Sequence, residues 1–293
     1  MNSWKDWKIE KIEFGDKDFP KHLKNVSPRI KQLYFRGTWD RDIFDNCVAV
    51  VGSRKISRYG TETIEKVIPE LVMNKMTIVS GFMYGVDSIA HWECIKNGGR
   101  TIAVLGGGLD YLYPKNNNDL YEQILSSGGL VISEYESKII PALWTFPQRN
   151  RIVAGLSYRG IFIVEAGLKS GSLITADWAR KMKRKCFALP GQINCRNSEG
   201  TNWLIKSKNA EMFLKTSDIT KVDEENYFQE SLFVNLNENQ KKITELLKIE
   251  ELTSDEICRK LNISIVDLGA EISILTMNGI VEDSSGKIFL KHK

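Results

Sequence analysis

Glycine and small hydroxyl residues follow several apolar segments of this chain, where they could bind phosphate. The clearest run is Ser170-Gly171-Ser172, just before the predicted start of a helix. Glycine lets backbone N–H groups come close to a phosphate, and a helix N-terminus adds partial positive charge. Tight turns and helix caps account for any one such loop, but four together favour a phosphate ligand. The other candidate residues of this kind are Gly52, Ser53, Ser80, Gly81, Gly107 and Thr175.

Arginine supplies the second kind of candidate side chain. Phe146 is followed within five residues by Arg149, Asn150 and Arg151, and this run is predicted to lie just before a helix. Guanidinium groups bind phosphates through paired hydrogen bonds, and both arginine and phenylalanine stack on bases. We expect these arginines to be exposed loop residues that add little to stability. Basic residues of other loops that could join them in one groove are Arg54, Lys55, Arg58 and Lys115.

A third basic feature is the segment 180–185, which holds five positive charges in six residues at a predicted helix end. Cations at a helix C-terminus are favourable without any ligand. We therefore interpret this segment as solvated surface.

The common signatures of catalysis, nucleotide binding and metal binding are missing from the sequence. It contains no GxGxxG, no GxxxxGK[ST] and no GxSxG, and its five cysteines are never spaced as CxxC. It has only three histidines, and the acids near strand ends, Asp87 and Glu165, have no partner base or nucleophile. His91 is interpreted as a structural residue. The sequence therefore predicts neither a catalytic site nor a cofactor nor a metal.

Short apolar segments that alternate with helical patterns must position these residues. Alternating strands and helices predict an α/β fold with a mostly parallel, doubly wound sheet, and ligands bind such sheets outside the carboxyl ends of the strands. The predicted strands are 47–52, 77–80, 101–108, 129–135, 160–166 and 186–191.

The remaining chain is predicted to form a linker and a second, smaller domain. Segment 215–237 is acidic and aperiodic, which is typical of a linker. Segment 238–293 contains three helical patterns and two short strands around Ser284-Ser285-Gly286, which suggests a winged-helix-like domain. Segment 1–46 is interpreted as an N-terminal connecting segment, and 47–214 as the main domain.

Charge separates these regions. Because 215–237 and 238–293 carry −3 and −2 within a total of +4, residues 1–214 carry +9. A polyanion would select the main domain and avoid the tail. The length of 293 residues suits two domains, and no apolar run is long enough to cross a membrane. With no signal-like start and scattered cysteines, we expect a soluble protein of the reducing cytoplasm.

The residues resemble those of the DNA-processing protein A family, also called DprA or Smf. The match runs from about Phe19 to Leu214 in order and spacing, and its most specific parts are FPQRNRIVAGLS (146–157) and VEAGLKSGSLITADWA (164–179). The other matching motifs are VAVVGSR (48–54), Tyr59-Gly60, IVSG (78–81), GVDSIAH (85–91), LGGGLDYLYP (105–114), ISE (132–134), ALPG (188–191) and GTNWLI (200–205).

The resemblance implies an extended Rossmann-like domain that binds single-stranded DNA and forms a homodimer. It also implies delivery of that DNA to the RecA recombinase, notably in natural transformation, and no catalytic activity. By motif, Arg54, Arg149, Asn150 and Arg151 would hold the strand together with the glycine and serine loops. A C-terminal winged helix is frequent in the family.

The chain departs from the family pattern at two places. Members often begin with a helical domain, whereas only 46 residues precede the first predicted core strand here. Tyr84 stands where the family usually has arginine, so one phosphate contact is replaced by a side chain that could stack on a base.

Two other functions compete with a DNA-binding recombination mediator. Related Rossmann-like sheets include phosphoribohydrolases that act on nucleoside monophosphates, but the PGGxGTxxE run of those enzymes is missing here. A sensor or defence protein could also use such a domain to bind a small nucleotide. For the tail, winged helices that bind DNA are usually basic, so the acidic segment 238–293 is predicted to contact protein.

Overall fold

The computed structural model describes residues 4–220, 236–247, 250–277, 280–284 and 286–290. The chain forms two compact units, with the division after residue 221. This division falls inside the predicted linker 215–237, of which residues 221–235 lie outside the described ones. The described part of that segment includes a short helix, Ser217–Thr220, whose Ile219 is buried in the core of the first unit.

The first unit is built on a nine-stranded sheet with the strand order β1-β2-β6-β5-β4-β3-β7-β8-β9. All pairings from β6 to β9 are parallel, and helices cover both faces, which confirms the predicted α/β, doubly wound fold. The strands are β1 (Glu10–Glu13), β2 (Gln32–Gly37), β3 (Cys47–Val51), β4 (Thr77–Ser80), β5 (Thr101–Val104), β6 (Leu130–Ser133), β7 (Ile161–Ile163), β8 (Cys186–Ala188) and β9 (Glu211–Met212).

Segment 1–46, interpreted above as a connecting segment, contributes two strands to this same sheet. β1 pairs antiparallel with β2, and β2 pairs antiparallel with β6. Neither strand is among those predicted from the sequence. Because strand β2 contains the buried Leu33 and Phe35, the segment is part of the core of the first unit.

Strand β3 shows why the parallel strands read as continuous apolar segments. Val48 and Val50 face a cluster that includes side chains of the first two helices, whereas Ala49 and Val51 face a cluster that includes the fourth and fifth. A strand buried on both faces needs apolar residues at every position. The strands end earlier than the predicted segments because the glycine-rich continuations leave the sheet as loops.

Seven helices of the first unit lie among the described residues. Ser57 caps the first, since its hydroxyl accepts a hydrogen bond from the Gly60 N–H at 3.2 Å. The helices are α1 (Arg58–Met73), α2 (Val86–Lys96), α3 (Asn118–Ser126), α4 (Thr145–Leu156), α5 (Ser172–Lys181), α6 (Glu199–Lys206) and α7 (Ser217–Thr220).

The second unit contains three described helices, Glu238–Leu247, Ser254–Leu261 and Ile265–Met277, and an antiparallel pair of strands, β10 (Val281–Ser284) and β11 (Lys287–Leu290). Thr253 and Glu256 cap the second of these helices reciprocally, which fixes its start. The number and order of these elements agree with the sequence analysis. Their assignment as a winged helix stays a prediction.

Candidate functional site

A cleft of about 640 Å³ opens at the carboxyl ends of the parallel strands. Strands β3 and β7 are neighbours, but the chain builds β4, β5 and β6 on one side of β3 before it returns to form β7 on the other. This reversal is the position at which open α/β sheets bind ligands. Most of the residues predicted to form the site line this cleft, namely Gly52, Ser53, Arg54, Gly81, Phe146, Arg149, Asn150, Ser170, Gly171, Ser172 and Thr175.

The loop after β3 forms one wall, and it depends on two glycines. A Cβ atom on Gly52 would lie 2.7 Å from Cγ2 of Val86 and 2.9 Å from the carbonyl oxygen of Glu165. Gly85 has a φ of 73° and lies against the backbone of Ser53 and Arg54. Side chains at these two positions would push the β3–α1 loop away from α2 and β7. The close packing therefore fixes where the next residue, Arg54, leaves the backbone.

Arg54 is exposed, and its guanidinium carbon lies 5.8 Å from the centre of the Phe146 ring. The Phe146 ring is 5.7 Å from that of Tyr113, and it packs on Gly106, where a Cβ would be 2.8 Å from Cδ1 of the ring. A cation and two aromatic rings thus stand together at the cleft. This combination suits a phosphate beside a stacked base.

Arg149 also lines the cleft, but the expectation that it is an exposed loop residue is wrong. Helix α4 begins at Thr145, with Pro147 in its first turn, where proline is tolerated. Arg149 therefore lies within the helix, and only 3% of it is exposed. Its guanidinium donates hydrogen bonds to the carbonyl oxygens of Gly81, at 2.5 Å, and Val104.

The buried carboxyl of Asp87 shares this pocket with Arg149. A Cβ on Gly81 would lie 2.6 Å from Oδ2 of Asp87 and 2.8 Å from Nη2 of Arg149, so the missing side chain makes room for both groups. Burial raises the pKa of Asp87, and Arg149 opposes that rise. Burial likewise lowers the pKa of Arg149 to about 10, against the influence of Asp87.

Arg151 lies outside the cleft, and the expectation that it is exposed is also wrong. It is 1% exposed, and its Nη2 donates to both carboxylate oxygens of Glu134, at 2.7 and 2.8 Å. Its other nitrogens donate to the carbonyl oxygens of Pro28 and Gln148. The side chain therefore joins helix α4 to the end of β6 and to the N-terminal segment.

The start of α5 forms the opposite wall of the cleft. The hydroxyl oxygens of Ser170 and Ser172 lie 2.7 Å apart, and the Ser170 hydroxyl accepts a hydrogen bond from the Ser172 N–H at 3.4 Å. The amide group of Asn150 donates to the Gly171 carbonyl oxygen at 3.2 Å, which ties this loop to α4. The first N–H groups of a ten-residue helix therefore lie beside the cleft, as the sequence analysis predicted.

Glu165 joins three loops beneath the cleft. Its carboxylate accepts hydrogen bonds from the Ser57 N–H and from Nδ2 of Asn197, each at 3.0 Å, and a further one from the Ser57 hydroxyl. The same Asn197 amide donates to the Lys55 carbonyl oxygen at 2.7 Å. Glu165 is 2% exposed, so it acts as an internal support for the loop that carries Arg54.

Three further predicted site residues do not line the cleft. Ser80 is fully buried at the end of β4, where its hydroxyl donates to the Val50 carbonyl oxygen at 2.7 Å. Gly107 is buried against Pro141, and Lys115 is an exposed residue of a short 3-10 helix. Arg58, considered for the same groove, begins α1 and pairs with Glu62 at 2.6 Å.

The cleft also includes residues that the sequence analysis did not assign to it. Lys169 and Asn197 add a cation and an amide, while Leu143 and Tyr113 add apolar surface. Lys169 directly precedes Ser170, so its place in the glycine-serine loop was an available signal. Leu143 is 92% exposed, and no periodic pattern marks such a residue.

The remaining candidates for chemistry have structural roles. His91 is fully buried, with Nδ1 2.6 Å from the Thr101 hydroxyl, and burial lowers its pKa to about 3, with Arg149 contributing. Within the residues that the structure describes, no group of three or more acidic, histidine or cysteine side chains could hold a metal ion. None of the described helices is long and apolar enough to cross a membrane.

The sequence is similar to a known family and to bacterial proteins. The family model for DNA recombination-mediator protein A matches residues 10–223. DNA processing protein DprA of Streptococcus pneumoniae is 42% identical over 199 residues, which cover 68% of this chain and 69% of that protein. Protein Smf of Synechocystis is 39% identical over 207 residues, 70% of this chain. The match spans about half of that second relative, 51% of its length.

Solved structures of two relatives resemble this chain. DNA processing protein A of Streptococcus pneumoniae matches with a TM-score of 0.67 at 40% identity, covering 73% of this chain and 74% of that one. DNA processing protein A of Helicobacter pylori, whose structure is described by its single-stranded DNA binding mode, matches with a TM-score of 0.66 at 30% identity. That match covers 78% of this chain and 99% of the other.

Proposed function

Since the chain belongs to the DNA recombination-mediator protein A family, we propose that its cleft binds single-stranded DNA and that the protein acts as a recombination mediator rather than an enzyme. The observation that carries the proposal is the composition of the cleft. Arg54, Lys55, Arg149 and Lys169 line it, and the acidic residue among its lining, Asp87, is buried. The DNA-binding mode of the Helicobacter pylori relative supports the same ligand.

The proposed binding mode divides the strand between two walls. Phosphates lie against Arg54 and near the positive N-terminal end of α5, and a base stacks on Phe146. Charge-assisted hydrogen bonds hold the backbone, and stacking accepts every base. We therefore expect little base preference and a strong preference for single strands over duplexes, whose bases are already stacked.

Fluorescence anisotropy with a labelled oligonucleotide tests the proposal. The logarithm of the affinity should fall linearly with the logarithm of the salt concentration, by about 0.7 for each phosphate contacted. An unlabelled oligonucleotide should compete, whereas a nucleoside monophosphate at the same phosphate concentration should not. Affinity that does not depend on salt, or equal competition by the mononucleotide, would contradict a groove that follows the DNA backbone.

We also propose that the protein is a homodimer. Strand β9 forms an edge of the sheet, and an edge strand with apolar side chains favours pairing with another chain. Trp203 before it, and Met212 and Leu214 in and after it, are each about half exposed or more. Analytical ultracentrifugation of the wild-type chain and of Leu214→Glu tests this, since the charge should shift the equilibrium to monomer.

Delivery of the bound strand to the RecA recombinase, as in natural transformation, is the proposed cellular role. It rests on family membership, and the free state of all five cysteines agrees with the proposed cytoplasmic location. The test is RecA filament assembly on DNA coated with single-strand-binding protein. This chain should shorten the lag before assembly, and Arg54→Ala should lengthen it again.

For residues 238–293 we propose contact with protein rather than DNA, because their charge is −2. Truncation after residue 221 tests this and keeps Ile219 in its core cluster. The shortened chain should retain the affinity for single strands within about threefold, equivalent to roughly 0.7 kcal/mol. Loss of most affinity from a shortened chain that remains folded and dimeric would place this segment on the DNA.

A further inference from the structure

A second basic cavity lies at the amino ends of the parallel strands, whereas the cleft lies at their carboxyl ends. It has a volume of about 650 Å³ and is lined by the N-terminal segment 21–28 and by the end of α5 with the residues after it. Arg184 lies two residues before the start of β8, so the cavity belongs to the amino ends of the parallel strands. Among the described residues no acidic side chain lines it, whereas four basic ones do, namely Lys21, His22, Lys181 and Arg184.

The cavity is a product of close packing rather than a loose surface groove. A Cβ on Gly155, in the last turn of α4, would lie 2.7 Å from Cγ2 of Val26 and 2.8 Å from Cδ2 of Leu23. The missing side chain lets the N-terminal segment pack directly on α4. The His22 ring then stacks on Tyr158, with ring centres 4.2 Å apart. His22 is thereby held at the rim of the cavity.

The basic residues of the run 180–185 differ in whether a carboxylate lies close to them. Arg180 and Lys181 each lie 2.7 Å from the carboxylate of Asp177, and Lys185 lies 3.1 Å from that of Glu211. Arg184 has no carboxylate within ion-pair distance among the described residues. Its Nη2 donates a hydrogen bond to the Gly155 carbonyl oxygen at 3.4 Å. The guanidinium is therefore the least compensated charge of the run at this cavity.

Two side-chain nitrogens beside the cavity lack hydrogen-bond partners in the described part of the chain. Nε of Arg184 and Nε2 of His22 are both buried without a hydrogen-bond partner. Burial lowers the pKa of His22, and Arg184 and Lys21 lower it further, whereas Asp45 opposes them. Nε of Arg184 always carries a proton, and Nε2 of His22 carries one in one of the two neutral tautomers. A buried donor without an acceptor is costly, and a group that only accepts hydrogen bonds, such as a phosphate oxygen, would satisfy Arg184 and that tautomer of His22.

The ends of α4 and α5 could account for some of this positive charge. Helix C-termini carry about half a negative charge each, and cations near them are stabilising without any ligand. However, Lys181 already stands in the last turn of α5, and the Arg184 side chain reaches only one terminal carbonyl, weakly. The helix dipoles therefore provide no hydrogen-bond partner for Nε of Arg184 or Nε2 of His22.

We propose that this cavity is a phosphate-binding site, separate from the cleft, in which Arg184 is the principal ligand. His22 contributes a hydrogen bond, and Lys21 adds charge at the mouth, where its ammonium group lies 3.2 Å from Asp45. The phosphate group belongs either to a nucleic acid backbone or to a free nucleotide. Both offer the same acceptor oxygens.

Titration calorimetry of the full chain tests the proposal with inorganic phosphate, thymidine monophosphate and a thymidine oligonucleotide. Arg184→Gln should weaken phosphate binding by about tenfold or more, because a charge-assisted pair is lost. Lys183→Gln is the matched control: the side chain is the exposed neighbour of Arg184, does not line the cavity and loses the same charge. It should change the affinity less than about twofold.

Both variants are also measured in an Arg54→Ala background, which removes a ligand of the proposed DNA cleft. Persistence of the Arg184 effect there separates this site from the cleft, so either proposal can fail alone.

Lys21→Ala, a substitution at an exposed residue, provides a second test that does not threaten the fold and should weaken phosphate binding by about threefold. Equal losses in Arg184→Gln and Lys183→Gln, or unchanged binding in Lys21→Ala and Arg184→Gln, would overturn the proposal. A loss that extends to the oligonucleotide identifies the backbone as the source of the phosphate, and a loss confined to the small ligands identifies a free nucleotide.

Discussion

The start of α4 and the loop after β3 both contribute arginine to the neighbourhood of the cleft, but they use it differently. Arg149 and Arg151 are almost completely buried and donate to carbonyl and carboxylate groups of other segments. Arg54 is exposed, and its guanidinium carbon lies 5.8 Å from the centre of the Phe146 ring. The guanidinium groups of the helix thus hold elements together, whereas that of the loop remains exposed at the cleft.

Arginines in or near one cleft therefore need not share a role. A buried arginine whose donors are satisfied by protein has few left for a phosphate, and removing it leaves acceptors without partners. An exposed one loses little stability when it is removed, because solvent already satisfies it. Substitutions at the two places should therefore separate stability from affinity.

The largest effect is expected for Arg151→Ala. The change leaves Glu134 and two carbonyl oxygens without their donor, and breaking a buried ion pair costs about 3–5 kcal/mol. Urea unfolding followed by circular dichroism measures the loss. The DNA affinity of the molecules that remain folded should stay within about twofold of wild type, because Arg151 does not line the cleft. A variant of normal stability with weak DNA binding would reverse the roles assigned to the two regions.

The second effect is the pH dependence of stability that His91, buried near Arg149, contributes. Because burial lowers the pKa of His91 to about 3, the folded protein takes up this proton only in strong acid, whereas the unfolded chain takes it up near pH 6.5. Stability from this group is thus fully present above pH 6.5 and is lost as the pH falls toward 3. The slope contributed is up to about 1.4 kcal/mol per pH unit.

Urea unfolding at pH 7, 6, 5 and 4 checks that slope against His91→Gln, in which the titrating group is absent. The variant should be less stable at pH 7 but lose stability less steeply below pH 6.5. Parallel pH profiles for the two proteins would show that His91 is not held neutral in this core.

A third, smaller effect is expected for Arg54→Ala. It removes a phosphate ligand and a cation above Phe146, so single-strand affinity should fall by about tenfold to a hundredfold. The salt dependence should decrease by about 0.7 for the lost phosphate contact. Arg58→Ala, an equal change at an exposed position that does not line the cleft, is the control for affinity and for stability. A comparable loss of affinity in both variants would mean that only the general charge of the domain matters.

The smallest effect is expected at Tyr84, which is 42% exposed in the loop that leads into α2. Tyr84→Arg should raise single-strand affinity by about twofold to fivefold and increase the salt dependence by about 0.7, since it adds one cation beside the same strand. Tyr84→Phe should leave both quantities unchanged if the hydroxyl has no role. A decrease in affinity for Tyr84→Arg would instead assign the ring a stacking contact.

The glycine-serine loops could be predicted from sequence because their signals are local. A strand that ends in glycine, and a serine pair before a helix, fix backbone geometry within a few residues. Thus Gly52 and the run Ser170-Gly171-Ser172 were assigned to the site, and the structure places them in one cleft. The parallel direction of the strands then followed from the alternation of strands and helices along the chain.

The burial of the α4 arginines could not be predicted in this way, because their partners are distant in sequence. Glu134 lies 17 residues before Arg151, and Pro28 lies 123 residues before it. A run such as PQRNR has the composition of an exposed loop. Arg151 is buried because the N-terminal segment packs beside α4, and Arg149 is buried because it bonds carbonyl oxygens of Gly81 and Val104. The cavity at Arg184 could not be predicted either, because His22 lies in the N-terminal segment, far from Arg184 in sequence.

The support that Glu165 gives to the cleft has a consequence for the entropy of binding. Its carboxylate bonds residues of two loops, Ser57 and Asn197, before any ligand arrives. Ordering a loop on binding would cost about 1–2 kcal/mol for each residue fixed, and this cost has already been met during folding. Most conformational freedom lost in a complex is therefore that of the strand. An oligonucleotide with a stiffer backbone will bind with a smaller entropic penalty than a flexible one of equal charge.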